Sequence, residues 1–271
     1  MKRVVAGLVA SLVLLTPLPA RAAAPDPVKA LRAQVVPGRG VTVSLVTRMS
    51  ADGKRFMTTR TDRVAGFGKG GLVETDDSIT YYAPDLPEEL KSDILFPALL
   101  IRVRDAHYTS GGELVGRLPL GKKWVRSQWP ESSPADIAVD LFQPGALRAL
   151  LDTASSVGPR AAKGTIRTSK IPGLPFGGIP SERGEKLTWA LWFDARGRVT
   201  RLTTRTSQMT NDNVELGISS DLRFTGWGAR VTIEPPPEDL VVKAEDLPEE
   251  LSGFDLFGES PVTLETSPKG N

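Results

Sequence analysis

VELGISSDLRFT, residues 214–225, is the stretch with the clearest strand pattern in the chain. Its apolar residues lie at alternate positions, interrupted only by Ser220, and are Val214, Leu216, Ile218, Leu222 and Phe224. Polar residues such as Asp221 and Arg223 stand between them. A period of two predicts a strand with one covered face. Because the stretch is long for a strand of a globular protein, we expect it to form the wall of a curved antiparallel sheet.

Strand patterns recur on both sides of this stretch, separated by turn residues. The predicted strands are residues 41–50, 55–65, 72–74 with 78–82, 95–104, 122–128, 164–169, 186–194 and 199–206. Residues 51–54, 66–71 and 194–197 are predicted reversals. Short turns join antiparallel neighbours, so we expect a meander. Pro97 should place the start of strand 95–104 at an edge or bulge, and Pro235-Pro236-Pro237 is predicted to close the regular region.

One main helix is predicted at residues 145–156. Leu147, Leu150 and Leu151 fall at i, i+3 and i+4, and Gly158-Pro159 follows as a stop signal. A shorter helix is predicted at residues 28–35. The apolar stripe of the main helix needs a surface to cover, and the sheet is the simplest one. The predicted fold is α+β and mostly β, with a curved antiparallel sheet packed on one main helix and short helices.

The first 22 residues have the pattern of a secretory signal peptide. Met1-Lys2-Arg3 is a positive start, residues 4–18 are almost wholly apolar, and Ala20-Arg21-Ala22 suits a signal peptidase. The apolar run contains Pro17 and is shorter than the roughly 20 residues that span a bilayer. We therefore expect cleavage near Ala22 and an extracytoplasmic location in the cell envelope, with no transmembrane anchor afterwards. The expected organisation is one domain at residues 23–265 and a disordered tail at residues 266–271.

Charge and cysteine content narrow the function classes. Loss of residues 1–22 leaves 31 basic and 32 acidic residues, a formal charge of −1. With charges interspersed, the chain gives little reason to expect the clustered positive face of a nucleic-acid binder. The chain has no cysteine, which excludes thiol catalysis, cysteine metal sites and an acyl anchor on a lipobox cysteine.

Motifs for catalysis or cofactor binding are weak. The one histidine, His107, is predicted in a polar turn before Ser110 and has no evident catalytic partner. The glycine-rich residues 66–71 match a dinucleotide-binding pattern, but a strand rather than a helix is predicted to follow. The acidic pairs Asp76-Asp77 and Glu249-Glu250 lack the spacing of a calcium loop. We therefore expect that the protein is not an enzyme and that it binds no cofactor and no metal.

The order of several motifs resembles a known superfamily. They are GKKWVR at residues 121–126, GTI at 164–166, LWFDARGRV at 191–199 and FTGWG at 224–228, running into VTIEPP at 231–236. Together they resemble the LolA/LppX-LprG-like superfamily of cell-envelope carriers. The resemblance implies a half-barrel sheet around helices that binds lipids or acyl chains. LppX-like members are typically acylated at a lipobox cysteine, which this chain lacks.

Strand and helix parity gives candidate lining residues for such a cavity. They are Val43, Leu45, Leu147, Leu151, Leu187, Trp189, Leu191, Phe193, Leu216, Ile218, Leu222 and Phe224. Each also fits an ordinary core, because any closed sheet shows the same alternation. The leading hypothesis is a non-catalytic carrier of a hydrophobic small molecule or lipid. The alternatives are an interaction or sensor module of the same fold that contacts an envelope membrane protein, and a hydrolase that uses dispersed carboxylates.

The hexapeptide DLPEEL occurs twice, at residues 85–90 and 246–251. Each copy is followed by Leu-Phe at the same spacing, residues 95–96 and 256–257. An Asp that caps a short helix, with two Glu in its first turn, fits this pattern. The copies predict two equivalent helical lids or plugs, or they reflect a common helix-start sequence.

Overall fold

The computed structural model describes residues 25–85, 98–128, 139–172, 184–210 and 213–247. The predicted signal peptide and tail, and most of both DLPEEL copies, lie outside these residues. Neither α-helix of the described part is long and apolar enough to cross a membrane.

Strands dominate the described residues, and two α-helices accompany them. In chain order the elements are α1 (Pro27–Gln34), β1 (Arg39–Ala51), β2 (Lys54–Gly68), β3 (Gly71–Tyr82), β4 (Ala98–Val103), β5 (Ala106–Gly111), β6 (Trp124–Gln128), α2 (Pro144–Asp152), β7 (Ala154–Val157), β8 (Ala161–Arg167), β9 (Lys186–Phe193), β10 (Val199–Met209), β11 (Glu215–Arg230) and β12 (Val241–Lys243). Short 3-10 turns follow β5, β8 and β12, and another precedes β12.

All of these strands belong to one sheet, in the order β12-β6-β5-β4-β3-β2-β1-β11-β10-β9-β8-β7. Every neighbouring pair is antiparallel except β12 and β6, which run parallel. The first strand, β1, pairs with β2 on one side and with the long β11 on the other. The predicted fold is confirmed: α+β and mostly β, an open antiparallel half-barrel with few helices.

The strand register determines which residues share a face. Val43 on β1 lies opposite Phe224 on β11. On the neighbouring row Leu222 of β11 lies opposite Leu202 of β10, which lies opposite Leu191 of β9. All five are buried in one core cluster to which both helices contribute. We call this covered side of the sheet the inner face and the opposite side the outer face.

The helix α1 spans Pro27–Gln34, one residue earlier at each end than the predicted residues 28–35. The Asp26 carboxylate accepts hydrogen bonds from the backbone N–H groups of Val28 and Lys29, at 2.9 and 3.2 Å. Pro27 stands at the first helical position, where its missing N–H is not needed. Val28 and Leu31 are buried, so the helix is held by its apolar side against the inner face.

The helix α2 is shorter than predicted: it ends at Asp152 rather than at residue 156. The Thr153 hydroxyl donates to the backbone carbonyls of Ala149 and Leu150, at 3.1 and 2.9 Å, which satisfies acceptors that the last turn leaves open. The chain then enters β7 at Ala154 and pairs with β8. Edge pairing with the sheet therefore ends the helix, and Gly158 lies in the β7–β8 turn.

Two predicted boundaries need correction. Pro235-Pro236-Pro237 does not close the regular region, because β12 follows and pairs with β6. After β12, Leu247 is buried against Leu114 and Val125, which gives this edge its own small apolar cluster. The glycine-rich reversal is also narrower than predicted, since Gly66 and Gly68 continue β2 and only residues 69–70 form the turn.

The predicted turns at residues 51–54 and 194–197 are confirmed, since each joins two antiparallel strands. At the first, Asp52 and Gly53 both have positive φ angles, 48° and 77°. That combination suits the two-residue hairpin whose twist matches the flanking strands. The first part of predicted strand 95–104 lies outside the described residues, and the remainder forms β4.

Candidate ligand-binding site

Most of the predicted lining residues lie in a packed core. Nine of them are buried members of one cluster on the inner face, namely Val43, Leu45, Leu147, Leu187, Trp189, Leu191, Phe193, Leu222 and Phe224. Trp189, Leu147, Leu191 and Leu222 expose 2% of their surface or less. These four side chains pack within the centre of the half-barrel.

An aromatic group fills the core beside α2. Phe67, Phe142, Phe224 and Trp227 stack or meet edge to face, with ring centroids 5.3–6.4 Å apart. The Trp227 indole N–H donates to the backbone carbonyl of Val199 at 2.7 Å, so its one polar atom is satisfied. Pairs with this geometry stabilise a core beyond the area that they bury.

The remaining three predicted residues lie at the edges of this core. Leu151 on α2 is partly buried and packs against the cluster. Leu216 and Ile218 point to the inner face near the start of β11 but are only half-buried. The long strand therefore extends past the core at this end.

An apolar pocket of about 390 Å³ opens at the edge of the core. We call it the rim pocket. It lies between the start of α1, the end of α2, the β7–β8 turn and the end of β9. Its lining is Pro25, Asp26, Pro27, Leu151, Val157, Gly158, Pro159 and Phe193. Of the described residues in this lining, Asp26 alone has an ionisable side chain, and its carboxylate caps α1. The volume falls in the range of small-molecule sites, roughly 300–1,000 Å³.

A buried polar cluster occupies the inner face of the other half of the sheet. We define it as Arg63 on β2, Asp77 on β3, Arg102 on β4, His107 on β5, and Asp140 just before α2. The Arg63 guanidinium donates to both carboxylate oxygens of Asp77, at 2.6 and 2.8 Å. Burial raises the pKa of Asp140, while hydrogen bonds from Phe142 and Gln143 and the charges of the two arginines oppose that rise.

The placement of His107 corrects the sequence-based expectation of a polar turn. His107 lies on β5 opposite Arg102, and only 4% of its surface is exposed. The turn is at residues 104–105, where Arg104 has a positive φ of 57°. Burial, together with the charges of Arg102 and Arg63, lowers the pKa of His107 from 6.5 to about 4. The imidazole is therefore neutral near pH 7.

The acidic pair Asp76-Asp77 is split between the two faces of β3. Asp77 faces inward to Arg63, and its neighbour therefore points outward. Burial, and to a smaller extent the charge of Asp77, raises the pKa of Asp76. Within residues 25–247, apart from the undescribed gaps, no group of three or more His, Cys, Asp or Glu is placed to hold a metal ion.

A second concave region lies on the outer face, across β1, β11, β10, β9 and β8. It consists of two adjoining depressions of about 540 and 550 Å³, which share Arg48, Thr188, Arg205 and Ser219. We call the two together the outer-face trough. Its charged lining residues are Arg48, Arg55, Lys163, Lys186, Arg201, Arg205, Glu215 and Asp221. Six cations and two acids thus meet in one place, a positive clustering that the interspersed charges of the sequence had not led us to expect.

Only one of these cations is held in a close ion pair within the trough, as far as the described residues show. Arg201 donates to both Asp221 carboxylate oxygens, at 2.8 and 2.7 Å, and its guanidinium lies 4.9 Å from the Trp192 ring centroid. The hydrogen bonds from Arg201 hold the pKa of Asp221 below its usual value, against a smaller effect of burial. The charges of Arg223 and Arg48 add to that lowering.

No protein-family model matches the chain, and no curated protein matches it by sequence. Among solved structures it is similar to a LolA superfamily protein from Nitrosomonas europaea, with a TM-score of 0.30 and 10% identity, over 81% of this chain and 97% of that chain. A DUF1329 family protein from Desulfovibrio piger gives a TM-score of 0.28 and 14% identity, over 77% and 95% of the two chains. A porin-like protein from Bacteroides uniformis gives a TM-score of 0.26 and 11% identity, over 70% of this chain and 98% of that chain. The first carries the superfamily name that the sequence motifs indicated. At these values similarity of fold does not transfer a function.

The sequence predicted neither the buried polar cluster nor the outer-face trough. Strand alternation predicted that Asp221 and Arg223 point away from the core, but not that Arg48 and Arg205 lie on the same outward row as Ser219 between them. That row depends on the pairing of β1 with β11, which are about 170 residues apart in the chain. The period-two pattern in β2 and β3 would have placed Arg63 and Asp77 inward, had it been followed past the apolar residues.

Proposed function

We propose that this chain is an exported, non-catalytic protein of the cell envelope that binds a hydrophobic ligand, a lipid or an acyl chain, between the curved sheet and its helices. The observation that carries this proposal is the rim pocket, which is lined mainly by apolar side chains from α2, β9 and the β7–β8 turn. Leu151 and Phe193 are the two predicted lining residues that reach it. The signal-peptide pattern of residues 1–22 supports export.

The chemistry of the rim pocket favours a ligand bound by burial of apolar surface. Leu151 and Phe193 belong to elements that are fixed by the core cluster, so this wall of the pocket is formed before a ligand arrives. Val157 is 69% exposed and stands at the mouth. Covering such surface contributes about 25 cal/mol per Å², and binding of this kind requires no nucleophile or general base.

The first experiment looks for a ligand. The purified chain is extracted with chloroform and methanol, and the extract is analysed by mass spectrometry for co-purifying amphiphiles. The extracted and refolded chain is then titrated with cis-parinaric acid, a fluorescent fatty acid. We expect a bound amphiphile in the extract and saturable enhancement of parinaric acid fluorescence.

A matched pair of variants locates the binding. Val157→Asp puts a carboxylate at the mouth of the rim pocket, whereas Val115→Asp puts one at a similarly exposed valine elsewhere, 62% against 69% exposed. A bound acyl chain that covers position 157 would bury the new carboxylate against apolar surface, which is strongly unfavourable. We expect Val157→Asp to weaken parinaric acid binding at least about tenfold and Val115→Asp to leave it unchanged. Equal effects of both variants, or no saturable binding by the native chain, would contradict the proposal and favour an interaction module of the same fold.

A further inference from the structure

The outer-face trough lies on the opposite side of the sheet from the core and the rim pocket. Its charged lining therefore contributes neither to the apolar core nor to binding in the rim pocket. Its floor crosses five neighbouring strands, from β1 to β8. With about 4.8 Å between strands, the floor extends for roughly 19 Å. That length suits an extended oligomer better than a single small ion.

We propose that the outer-face trough binds an acidic glycan, a linear sugar polymer that carries sulfate, phosphate or carboxylate groups. The site is distinct from the rim pocket and does not depend on the proposed carrier function. Three properties of the trough support it: an excess of positive charge, a floor of hydroxyl side chains, and a wall already fixed by internal contacts.

The charge excess is the first property. Arg48 and Arg205 line both depressions, and Arg55, Lys163 and Lys186 extend the basic lining along the trough. All of these except Arg48 are exposed, and Arg48 is half-buried. Among the lining residues that the structure describes, Glu215 and Asp221 are the only acids, and Asp221 is already engaged by Arg201. An anionic polymer laid along the floor would meet several guanidinium and ammonium groups at once.

The floor is the second property. The outward-facing side chains between the cations are short and hydroxylated: Ser50, Thr165, Thr188, Thr203, Ser207 and Ser219. Hydroxyl groups both donate and accept hydrogen bonds. They therefore fit a ligand that presents sugar hydroxyls as well as anionic oxygens, as an acidic glycan does.

The third property is the fixed wall. Arg201 is held on one side by two hydrogen bonds to Asp221 and on the other by the Trp192 ring. A guanidinium held in this way loses little conformational freedom when a ligand binds. It shapes the edge of the trough, while Arg48 and Arg205 remain to meet the ligand.

The alternative occupant is the surface of an anionic lipid bilayer, and the shape of the site argues against it. A flat surface laid over a concave trough would touch the charged walls and leave the hydroxyl floor without contacts. Amphipathic segments that dock on bilayers also insert apolar side chains. Among the described residues, none of the exposed large apolar side chains lines the trough.

The test measures binding of the full chain to three probes: dextran sulfate, neutral dextran of equal length, and vesicles of phosphatidylglycerol and phosphatidylcholine in equal parts. We expect saturable binding to dextran sulfate that weakens as salt is added, because salt screens charges. Neutral dextran should not bind, and the vesicles should bind at least about tenfold more weakly than dextran sulfate at equal anion concentration.

Two charge-matched double variants locate the site. Arg48→Glu/Arg205→Glu reverses the two cations shared by both depressions, whereas Arg60→Glu/Arg126→Glu reverses two exposed arginines outside the trough. The trough variant should lose at least about tenfold in affinity for dextran sulfate, and the control should lose less than about threefold. Circular dichroism and the thermal midpoint check folding. Should the first variant fail to fold, Lys163→Glu/Lys186→Glu replaces it, since both lysines are exposed.

Each outcome of these measurements either supports or overturns the proposal. Selective loss in the trough variant supports the proposal. Equal losses in both double variants would show that only net charge matters and would overturn it. Tighter binding to vesicles than to dextran sulfate would assign the trough to a membrane surface and would also overturn it. None of these outcomes affects parinaric acid binding at the rim pocket, so failure of one proposal leaves the other testable.

Discussion

Arg63 on β2 and Asp77 on β3 face each other directly across two paired strands and form a two-point ion pair on the inner face of the sheet. Their side chains expose only 6% and 3% of their surface. The pair lies on the same face as the apolar core. A charged group is costly in such a place unless it is paired and hydrogen-bonded. A buried charge of this kind is tolerated because each Asp77 carboxylate oxygen accepts a hydrogen bond from the Arg63 guanidinium.

Removing the acid from this pair should destabilise the fold strongly. Asp77→Ala deletes the carboxylate that accepts two hydrogen bonds from the buried Arg63 guanidinium. We expect the free energy of unfolding to fall by about 3–5 kcal/mol. Urea denaturation followed by tryptophan fluorescence measures the change.

The half-exposed pair Arg201 and Asp221 supplies the control. It has the same two-point geometry, but its side chains expose 39% and 20%. Asp221→Ala should cost about 1 kcal/mol or less, because solvent screens the pair. Similar losses in the two variants would mean that burial does not govern these interactions.

His107 should make stability depend on pH. Its pKa is lowered from 6.5 to about 4 in the folded chain, so the unfolded chain binds more protons between these values. The contribution of the neutral His107 to the free energy of unfolding should therefore be fully present above pH 6.5. It should decrease as the pH falls toward 4, by up to about 1.4 kcal/mol per pH unit. Because the chain has one histidine, its imidazole proton resonance reports the pKa without assignment.

His107→Gln isolates this effect. The raised pKa values of Asp76 and Asp140 act in the opposite direction, and they are present in both proteins. The difference in unfolding free energy between native chain and variant should thus change across pH 4–6.5 and stay constant above that range. A difference that stays constant throughout, or a resonance that titrates near 6.5, would contradict the buried position.

Gly164 on β8 should not accept a side chain. An added Cβ would lie 2.6 Å from the Thr153 carbonyl oxygen, 2.8 Å from the Trp189 ring and 3.0 Å from the Ala154 Cα. We expect Gly164→Ala to cost about 1–3 kcal/mol through overpacking and to alter the fluorescence of Trp189. Gly70→Ala is the control, because nothing lies within 4 Å of its Cβ position. Two equal thermal midpoints would refute the close approach.

Leu147 distinguishes a packed core from a cavity at the centre of the half-barrel. It is fully buried, whereas Leu120 is fully exposed. In a packed core, Leu147→Ala should lower the free energy of unfolding of the ligand-free chain by about 2–5 kcal/mol, and Leu120→Ala should have almost no effect. Chemical denaturation after solvent extraction tests this. If Leu147→Ala matters only when an amphiphile is present, the residue lines a ligand site instead.

Much of the fold could be predicted from the sequence. Residues 41–45 and 214–225 alternate regularly enough for their strands to be identified, because one covered face imposes a period of two. The α2 helix was predicted at its start but not at its end, since Thr153 and the edge pairing of β7 override the later stop signal. The β5 strand was missed because its inward residues, His107 and Thr109, are polar rather than apolar.

The candidate sites were less predictable. Leu151 and Phe193 were named as lining residues, but no local pattern distinguishes them from core residues such as Leu147. The difference arises because the β7–β8 turn leaves space beside Leu151, while Leu147 is covered on every side.

By itself the sequence determined which residues face inward on the strands that have an apolar face, such as β1, β9 and β11, because alternation is local and the cost of exposing apolar surface acts on each residue separately. Only the tertiary structure decided which strands are neighbours, and hence that Arg48 meets Arg205 outside and Arg63 meets Asp77 inside. Pairing between distant strands depends on the assembly of the whole sheet, and no single stretch of sequence carries that information.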